Sequence, residues 1–261
     1  MEVIIRPNKE IATDLAAKLI AEKIRQKPFI CLGLATGRTM EIVYGKLAAM
    51  HRDEGLDFSL ARTYNLDEYI GLPPEHPNSY RYYMNKYLFE KINIDLRNTH
   101  LPLGMAEDLR RECYLYEKSI RNSGGIDLQL LGIGCSGHIG FNEPLSALQS
   151  RTRDKALTPV TVAQNSPLFD PPESMPKRAI TMGVGTILEA RQIIMLVTGK
   201  EKASILAKAV EGPITSMISA TALQLHSNCT VIVDEAAASE LQCCEYYKWI
   251  FENEPEWEPY R

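Results

Sequence analysis

The sequence predicts an α/β fold, a single-domain three-layer sandwich with a mostly parallel sheet covered by helices on both faces. Three observations predict it. Short β-rich runs alternate with longer amphipathic runs along the whole chain, the pattern of parallel strands joined by helical crossovers. The chain has 261 residues, enough for one large α/β domain or two small ones, and its 45% hydrophobic content can fill a core. No linker, repeat or low-complexity tract divides it, so residues 1–261 read as one domain, with a C-terminal helix and tail from about residue 235.

The elements follow in order. Residues 3–6 read as a short strand. Residues 8–26 carry Ile11, Leu15, Leu19 and Ile20 on one stripe and read as a helix. Residues 29–34 are a buried strand and 40–51 a helix; 61–66 are a strand followed by a Pro-rich loop through Pro77 and a helix over 79–89. Residues 107–121 are helical and 126–133 a strand. Residues 193–198 form a strand that feeds a helix at 200–211, and 230–233 and 235–251 are the last strand and helix. In such a sheet, sites gather at the C-terminal ends of the strands.

Composition excludes several functions. Net charge is −4 and no Lys/Arg run exceeds two residues, which makes nucleic acid and anionic membrane poor partners. Six scattered cysteines lack zinc-ligand spacing and point to reduced thiols in the cytoplasm. The first eight residues have no apolar leader core, and no apolar stretch approaches membrane length.

The most informative segment is Gly137, His138, Ile139, Gly140, Phe141, Asn142 and Glu143, closed by Pro144. It sets an imidazole and a carboxylate five positions apart in a glycine-flanked loop just after an apolar strand. Pro144 holds Glu143 out of the helical region. A histidine titrates near neutrality, and a nearby carboxylate fixes its tautomer. This pattern reads as a proton-transfer site. Residues Gly132, Gly134 and Gly137 also spell G-x-G-x-x-G, but Pro144 leaves no room for the sustained helix of a dinucleotide loop, and no acidic residue follows at the required distance. No nicotinamide cofactor is expected.

Ala35, Thr36, Gly37, Arg38 and Thr39 lie between a strand and a helix, where backbone N–H groups and two hydroxyls make an anion site. Lys200 and Lys202 in the first turn of a later helix oppose its dipole unless an anion binds there. Asn65-Leu66-Asp67-Glu68-Tyr69 ends another strand, and the flanking Leu66 and Tyr69 with rigid Pro73-Pro74 suit Asp67 to general-base work. Cys135 beside His138 reads as incidental rather than as a nucleophile, and His138 and Glu143 lack metalloprotease spacing, so no metal is expected.

Together these segments resemble the glucosamine-6-phosphate deaminase (isomerase) family over nearly the whole chain. The specific pieces are Leu32-Gly33-Leu34-Ala35-Thr36-Gly37, Asn65 through Leu72 with Glu75-His76-Pro77 and Ser79-Tyr80, and Gly137 through Pro144. The resemblance implies a Rossmann-like sheet, no obligatory cofactor, and conversion of glucosamine 6-phosphate and water to fructose 6-phosphate and ammonia. By the same resemblance Asp67 matches the enolising base, His138 the ring-opening catalyst and Glu143 its support, with Ser136 beside them. Lys202 matches a phosphate ligand, and Ala35, Thr36, Gly37, Arg38, Thr39, Gly134 and Gly137 fall where substrate binds.

The chain departs from the family at Ser136, where most members carry an acid or amide, at Gly37-Arg38-Thr39-Met40, and at Pro167, where an arginine commonly binds phosphate. Either Arg38 replaces the lost cation or it is a solvated surface charge. Ser146, Arg153 and Lys155, with Arg151, resemble part of the allosteric sugar-phosphate site of hexameric members, although Ala147 and Trp249 replace hydroxyl-bearing residues there; a homo-oligomer is therefore among the expected partners, and the aromatic tail packs on either a neighbour or its own core. Two alternatives stand beside the deaminase: a 6-phosphogluconolactonase-like hydrolase, whose loop differs after the histidine, and a non-catalytic sugar-phosphate-sensing domain.

Overall fold

Asn8 shows how the chain turns pattern into structure. In the computed structural model, which describes residues 1–261, its side chain accepts the Ile11 N–H at 3.0 Å and separates strand β1 (Glu2–Arg6) from helix α1 (Lys9–Gln26), an N-cap that satisfies one orphan donor. The same alternation runs on through β2 (Cys31–Leu34), α2 (Arg38–Glu54) and β3 (Arg62–Asn65). After β4 (Asp67–Tyr69) come α3 (Tyr80–Tyr87), β5 (Thr99–His100), α4 (Leu109–Asn122) and β6 (Leu128–Leu131). Then follow β7 (Arg153–Ala156), α5 (Pro159–Asn165), β8 (Arg178–Thr181), α6 (Val184–Leu188), β9 (Gln192–Val197), α7 (Ala203–Val210), β10 (Cys229–Asp234) and α8 (Cys244–Asn253).

Seven strands form one sheet in the order β1-β10-β9-β6-β2-β3-β5, and every pairing in it is parallel. The strands are nearly all buried, as a parallel sheet flanked by helices requires. From β2 the chain winds outward through β3 to β5, and from β6 outward through β9 to β10, beyond which the N-terminal β1 forms the edge. The order therefore reverses between β2 and β6, and the loops leaving their C-terminal ends border the crevice where such sheets bind ligands.

A second, three-stranded antiparallel sheet of order β4-β8-β7 has no counterpart in the sequence reading. It begins where β3 ends: Leu66 donates its N–H to Leu34 O at 3.0 Å and accepts from Met182 N at 2.7 Å, so one residue serves both sheets. Its strand β7, Arg-Asp-Lys-Ala, is half exposed and lacks any apolar alternation to signal it. Helix α5 was also missed, although Thr158 caps it and Pro159 opens it, a recognisable start. Together they close a small second core of Tyr69, Leu72, Phe141, Leu157, Phe169, Met175 and Ala179.

Two expected helices are shorter than predicted. Residues 200–202 form a 3-10 turn, and α7 begins only at Ala203. The last helix starts at Cys244 instead of 235, because Asp234 accepts the Ala237 N–H at 2.8 Å and tightens the chain into a turn. Glu211 then accepts the N–H groups of Gln242 and Cys243 at 2.9 and 3.0 Å and nucleates α8. In the tail, Phe251 and Trp257 pack into the core, whereas Tyr246 and Trp249 are exposed.

Glu117 ties the added sheet to the rest. It is buried on α4 and accepts from Thr152 N and Thr152 Oγ1 at 2.8 and 2.6 Å, from Thr186 Oγ1 at 2.6 Å and from Arg151 at 2.5 Å. Burial alone would raise its pKa, but these donors prevail and lower it. Folding thus favours the ionised form, so its contribution is full above the ordinary carboxylate range and fades as pH falls below it. Glu117→Ala should lower unfolding stability in urea by about 3 kcal/mol at neutral pH, with a smaller penalty in acid. A neutral-pH loss too small to measure would show that these bonds do not hold the small sheet.

Candidate active site

The crevice gathers residues from five chain segments. Asp67 opens β4 immediately after the crossover, and Glu68 follows it. The two acids have different surroundings. Glu68 accepts the N–H groups of Tyr69, Tyr80 and Arg81 at 2.8–2.9 Å and so caps α3, a structural role. Asp67 is paired with Thr181 across the small sheet and only 6% exposed. Burial, with Glu68 beside it, pushes its pKa up to about 8.

The loop that follows β6 lies against this carboxylate. A Cβ at Gly140, whose φ is +55°, would sit 2.9 Å from Thr181 Oγ1 and 3.3 Å from Asp67 Oδ2, so glycine lets the backbone approach. The Phe141 N–H donates to Thr181 Oγ1 at 3.0 Å and holds the loop there. At its other end the loop folds on itself, with Gly134 N donating to His138 O at 2.8 Å. A Cβ at Gly134 would fall 2.0 Å from His138 Nε2, so glycine leaves the room in which the imidazole packs against the backbone.

His138 and Glu143 come together as expected from their spacing. His138 Nδ1 lies 3.3 Å from Glu143 Oε2 and 2.7 Å from Ser136 Oγ. Glu143 also accepts from Thr161 Oγ1 and, at 3.3 Å, from Thr158 N. Burial works to raise its pKa, but the bonds from His138 and Thr161 outweigh it and bring it down to about 2. Glu143 is thus a fixed anion behind the imidazole. The two threonines, which sequence reasoning missed, come from α5; the Thr-Pro helix start was the available signal.

The anion loops meet on the other side of the crevice. Thr39 Oγ1 and Thr198 Oγ1 are 3.3 Å apart, which joins the start of α2 to the end of β9. Lys202 reaches across to donate to Ile133 O at 3.0 Å, with Cys135 Sγ 3.6 Å away. Ala35 is buried, Thr36 half-buried, and Gly37, the residue before α2, is exposed. Arg38 is the first residue of α2; it is exposed and its side chain makes no hydrogen bond. Pro167 lies in a 3-10 turn after α5. Tyr80, half-buried, donates its hydroxyl to Tyr69 Oη at 3.4 Å and stacks on Phe141; sequence reasoning gave it no role of its own. Gly137 sits against Ile218 and Ile205 and supports the loop from below.

The remaining candidates lie apart. Arg153 donates to Ser146 Oγ at 3.0 Å and to Asn142 Oδ1 at 2.8 Å. Lys155, two residues along β7 on the same face, is exposed and makes no such bond. Arg151 is committed to Glu117 and Glu189.

With the geometry in place, comparison with known proteins is decisive. A family model described as glucosamine-6-phosphate isomerases/6-phosphogluconolactonase matches residues 8–232. The chain belongs to this family. A glucosamine-6-phosphate deaminase of Streptomyces coelicolor is 47% identical over 259 residues, covering 99% of each chain. One of Cellvibrio japonicus is 48% identical over 250 residues, covering 96% of this chain and 95% of the relative. A solved structure of a monomeric glucosamine-6-phosphate deaminase superposes with a TM-score of 0.90 at 43% identity, over 92% of this chain and all (100%) of that one. The 6-phosphogluconolactonase of Trypanosoma brucei, at 20% identity and a TM-score of 0.72, shares the fold. No helix is long and apolar enough to cross a membrane.

The family's crevice carries in this chain a buried acid whose ionisation opposes folding. Folding raises the pKa of Asp67 from 3.8 to about 8, so the penalty grows as pH climbs between those values and then levels off. Asp67→Asn should therefore raise Tm more in mild alkali than in mild acid. An equal gain at both would show that Asp67 titrates like a surface carboxylate.

Proposed function

We propose that the protein is a glucosamine-6-phosphate deaminase, which converts glucosamine 6-phosphate and water to fructose 6-phosphate and ammonia. The observation that carries the reading is the placement of one buried, high-pKa carboxylate against a loop bearing a histidine with a fixed anion behind it. Both face a crevice flanked by helix starts and Lys202. The full-length relatives named as glucosamine-6-phosphate deaminases support it.

The chemistry divides between the groups. Ring opening needs a proton taken from the anomeric hydroxyl and one delivered to the ring oxygen, and His138 Nε2 is the free nitrogen able to move it. Asp67 then takes the C2 proton and returns it to C1. Its raised pKa makes the carboxylate a strong base, and the substrate's ammonium nearby favours its ionised form. As the C2 proton leaves, the C1 carbonyl oxygen takes a proton from the ammonium nitrogen to give an enolamine, and return of the proton to C1 leaves an iminium at C2. Water adds to that carbon, the C–N bond breaks, and ammonia leaves with the ketone formed in its place. The 6-phosphate sits between the loop of Thr36, Gly37 and Thr39 and Lys202, where backbone N–H groups and a cation meet an anion. A cytoplasmic setting and self-association complete the proposal, supported by six unpaired cysteines and by exposed Tyr246 and Trp249.

A coupled assay of ammonia released from glucosamine 6-phosphate tests the function. Wild-type protein should release ammonia and ketose in equal amounts, Asp67→Asn should abolish release while retaining binding of a substrate analogue, and His138→Gln should slow pyranose substrate more than a ring-opened analogue. Wild-type turnover in Asp67→Asn would remove Asp67 from the mechanism. A separate expectation concerns the phosphate. If Arg38 supplies the charge that Pro167 cannot, Arg38→Ala and Lys202→Ala should each lower kcat/KM by roughly 10- to 100-fold, the worth of a charge-assisted hydrogen bond. Unchanged kinetics in Arg38→Ala would leave Arg38 as a solvated surface charge.

A further inference from the structure

The imidazole of His138 has two acceptors competing for one ring nitrogen. Ser136 Oγ is 2.7 Å from Nδ1 and Glu143 Oε2 is 3.3 Å from it, while Ser136 Oγ itself is 3.5 Å from Glu143 Oε2. An ionised carboxylate can only accept, and so cannot share space with a lone pair on Nδ1. The neutral ring therefore carries its proton on Nδ1, and the shorter distance gives that proton chiefly to Ser136. The serine's own proton then has one anionic acceptor in reach, Glu143. Nε2 is left with its lone pair, with Gly134 packed against the ring beside it.

We propose that Ser136 is a positioning residue: its Oγ accepts the Nδ1–H of His138 and turns its own O–H toward Glu143. This fixes the ring with Nε2 free and makes the hydroxyl the nearer partner of Nδ1, at 2.7 Å against 3.3 Å for Glu143 Oε2. A direct His–carboxylate pair stabilises the imidazolium and raises its pKa, whereas a neutral hydroxyl as the near partner does so much less. Ser136 thus holds the ring with Nε2 available to take the anomeric proton. This refines the deaminase reading and rests on it for the identity of that proton, though not for the arrangement of the three side chains.

The other titratable and charged groups around the ring are not bonded to Ser136. They are Cys135 on the same loop, Asp67 beside Gly140 and Lys202 at Cys135. Arg153 of β7 approaches through Asn142, and the phenols of Tyr69 and Tyr80 lie behind Phe141. Helix α5 adds only hydroxyls, Thr161 on Glu143 and Thr158 on Thr161. Replacing Ser136 therefore changes the imidazole's near partner without removing a charge.

The test compares Ser136→Ala with Ser136→Thr by two readouts: the pH dependence of kcat/KM on glucosamine 6-phosphate, and the titration of the His138 ring followed by NMR in the substrate-free protein. In Ser136→Ala, Nδ1 pairs directly with Glu143, so the acid limb and the ring titration should both move up by about half a pH unit or more. Ser136→Thr keeps the hydroxyl and should superpose on wild type. An unshifted ring titration in Ser136→Ala, or an equal shift in Ser136→Thr, would overturn the proposal. Absence of ammonia release by wild type would instead overturn the deaminase reading, with the NMR titration still deciding the role of Ser136.

Discussion

The rest of the site depends on the burial of one carboxylate at a sheet crossover. The chain leaves the parallel sheet at Leu66 and enters the small antiparallel one at Asp67, with Leu66 bonded to both sides. That step places Asp67 under the loop after β6 and beside Thr181 of the small sheet, away from water. Because desolvation disfavours the charged form, the geometry of the crossover sets the basicity of the group. The small sheet therefore has a definite job: it closes the space over Asp67 and carries α5, whose threonines hold Glu143.

The two acids of the crevice are driven in opposite directions. Asp67, buried beside another acid, is raised to about 8, while Glu143, held by the His138 and Thr161 bonds against its own desolvation, falls to about 2. Such divergence is how one fold assigns a proton carrier and a fixed charge to chemically similar groups. The 6-phosphogluconolactonases at about 20% identity share this fold, and a shared fold does not by itself fix the chemistry.

Much of this was legible in the sequence. The parallel sheet announced itself through apolar strands such as β6 and β9, and the His138–Glu143 loop through its glycines and proline. The placement of Asp67 at a strand end was visible too, but not the difference between it and Glu68, because that arises from three N–H donors at the start of α3. The small sheet was hidden because β7 pairs through its backbone and has polar, half-exposed side chains with no period-2 signal. Thr161 escaped notice because its role is set by a contact eighteen residues away in sequence. The late start of the tail helix depended likewise on Glu211, a distant carboxylate that receives the N–H groups of Gln242 and Cys243 just before α8.

The central claim is that Asp67 is a buried proton carrier of raised pKa. The most direct measurement is the titration of its side-chain carboxyl by carbon NMR in isotopically labelled protein, with Asp67→Asn used to assign the signal. The account predicts a midpoint of about 8 in the substrate-free protein. A midpoint near the ordinary aspartate value of about 4 would contradict it.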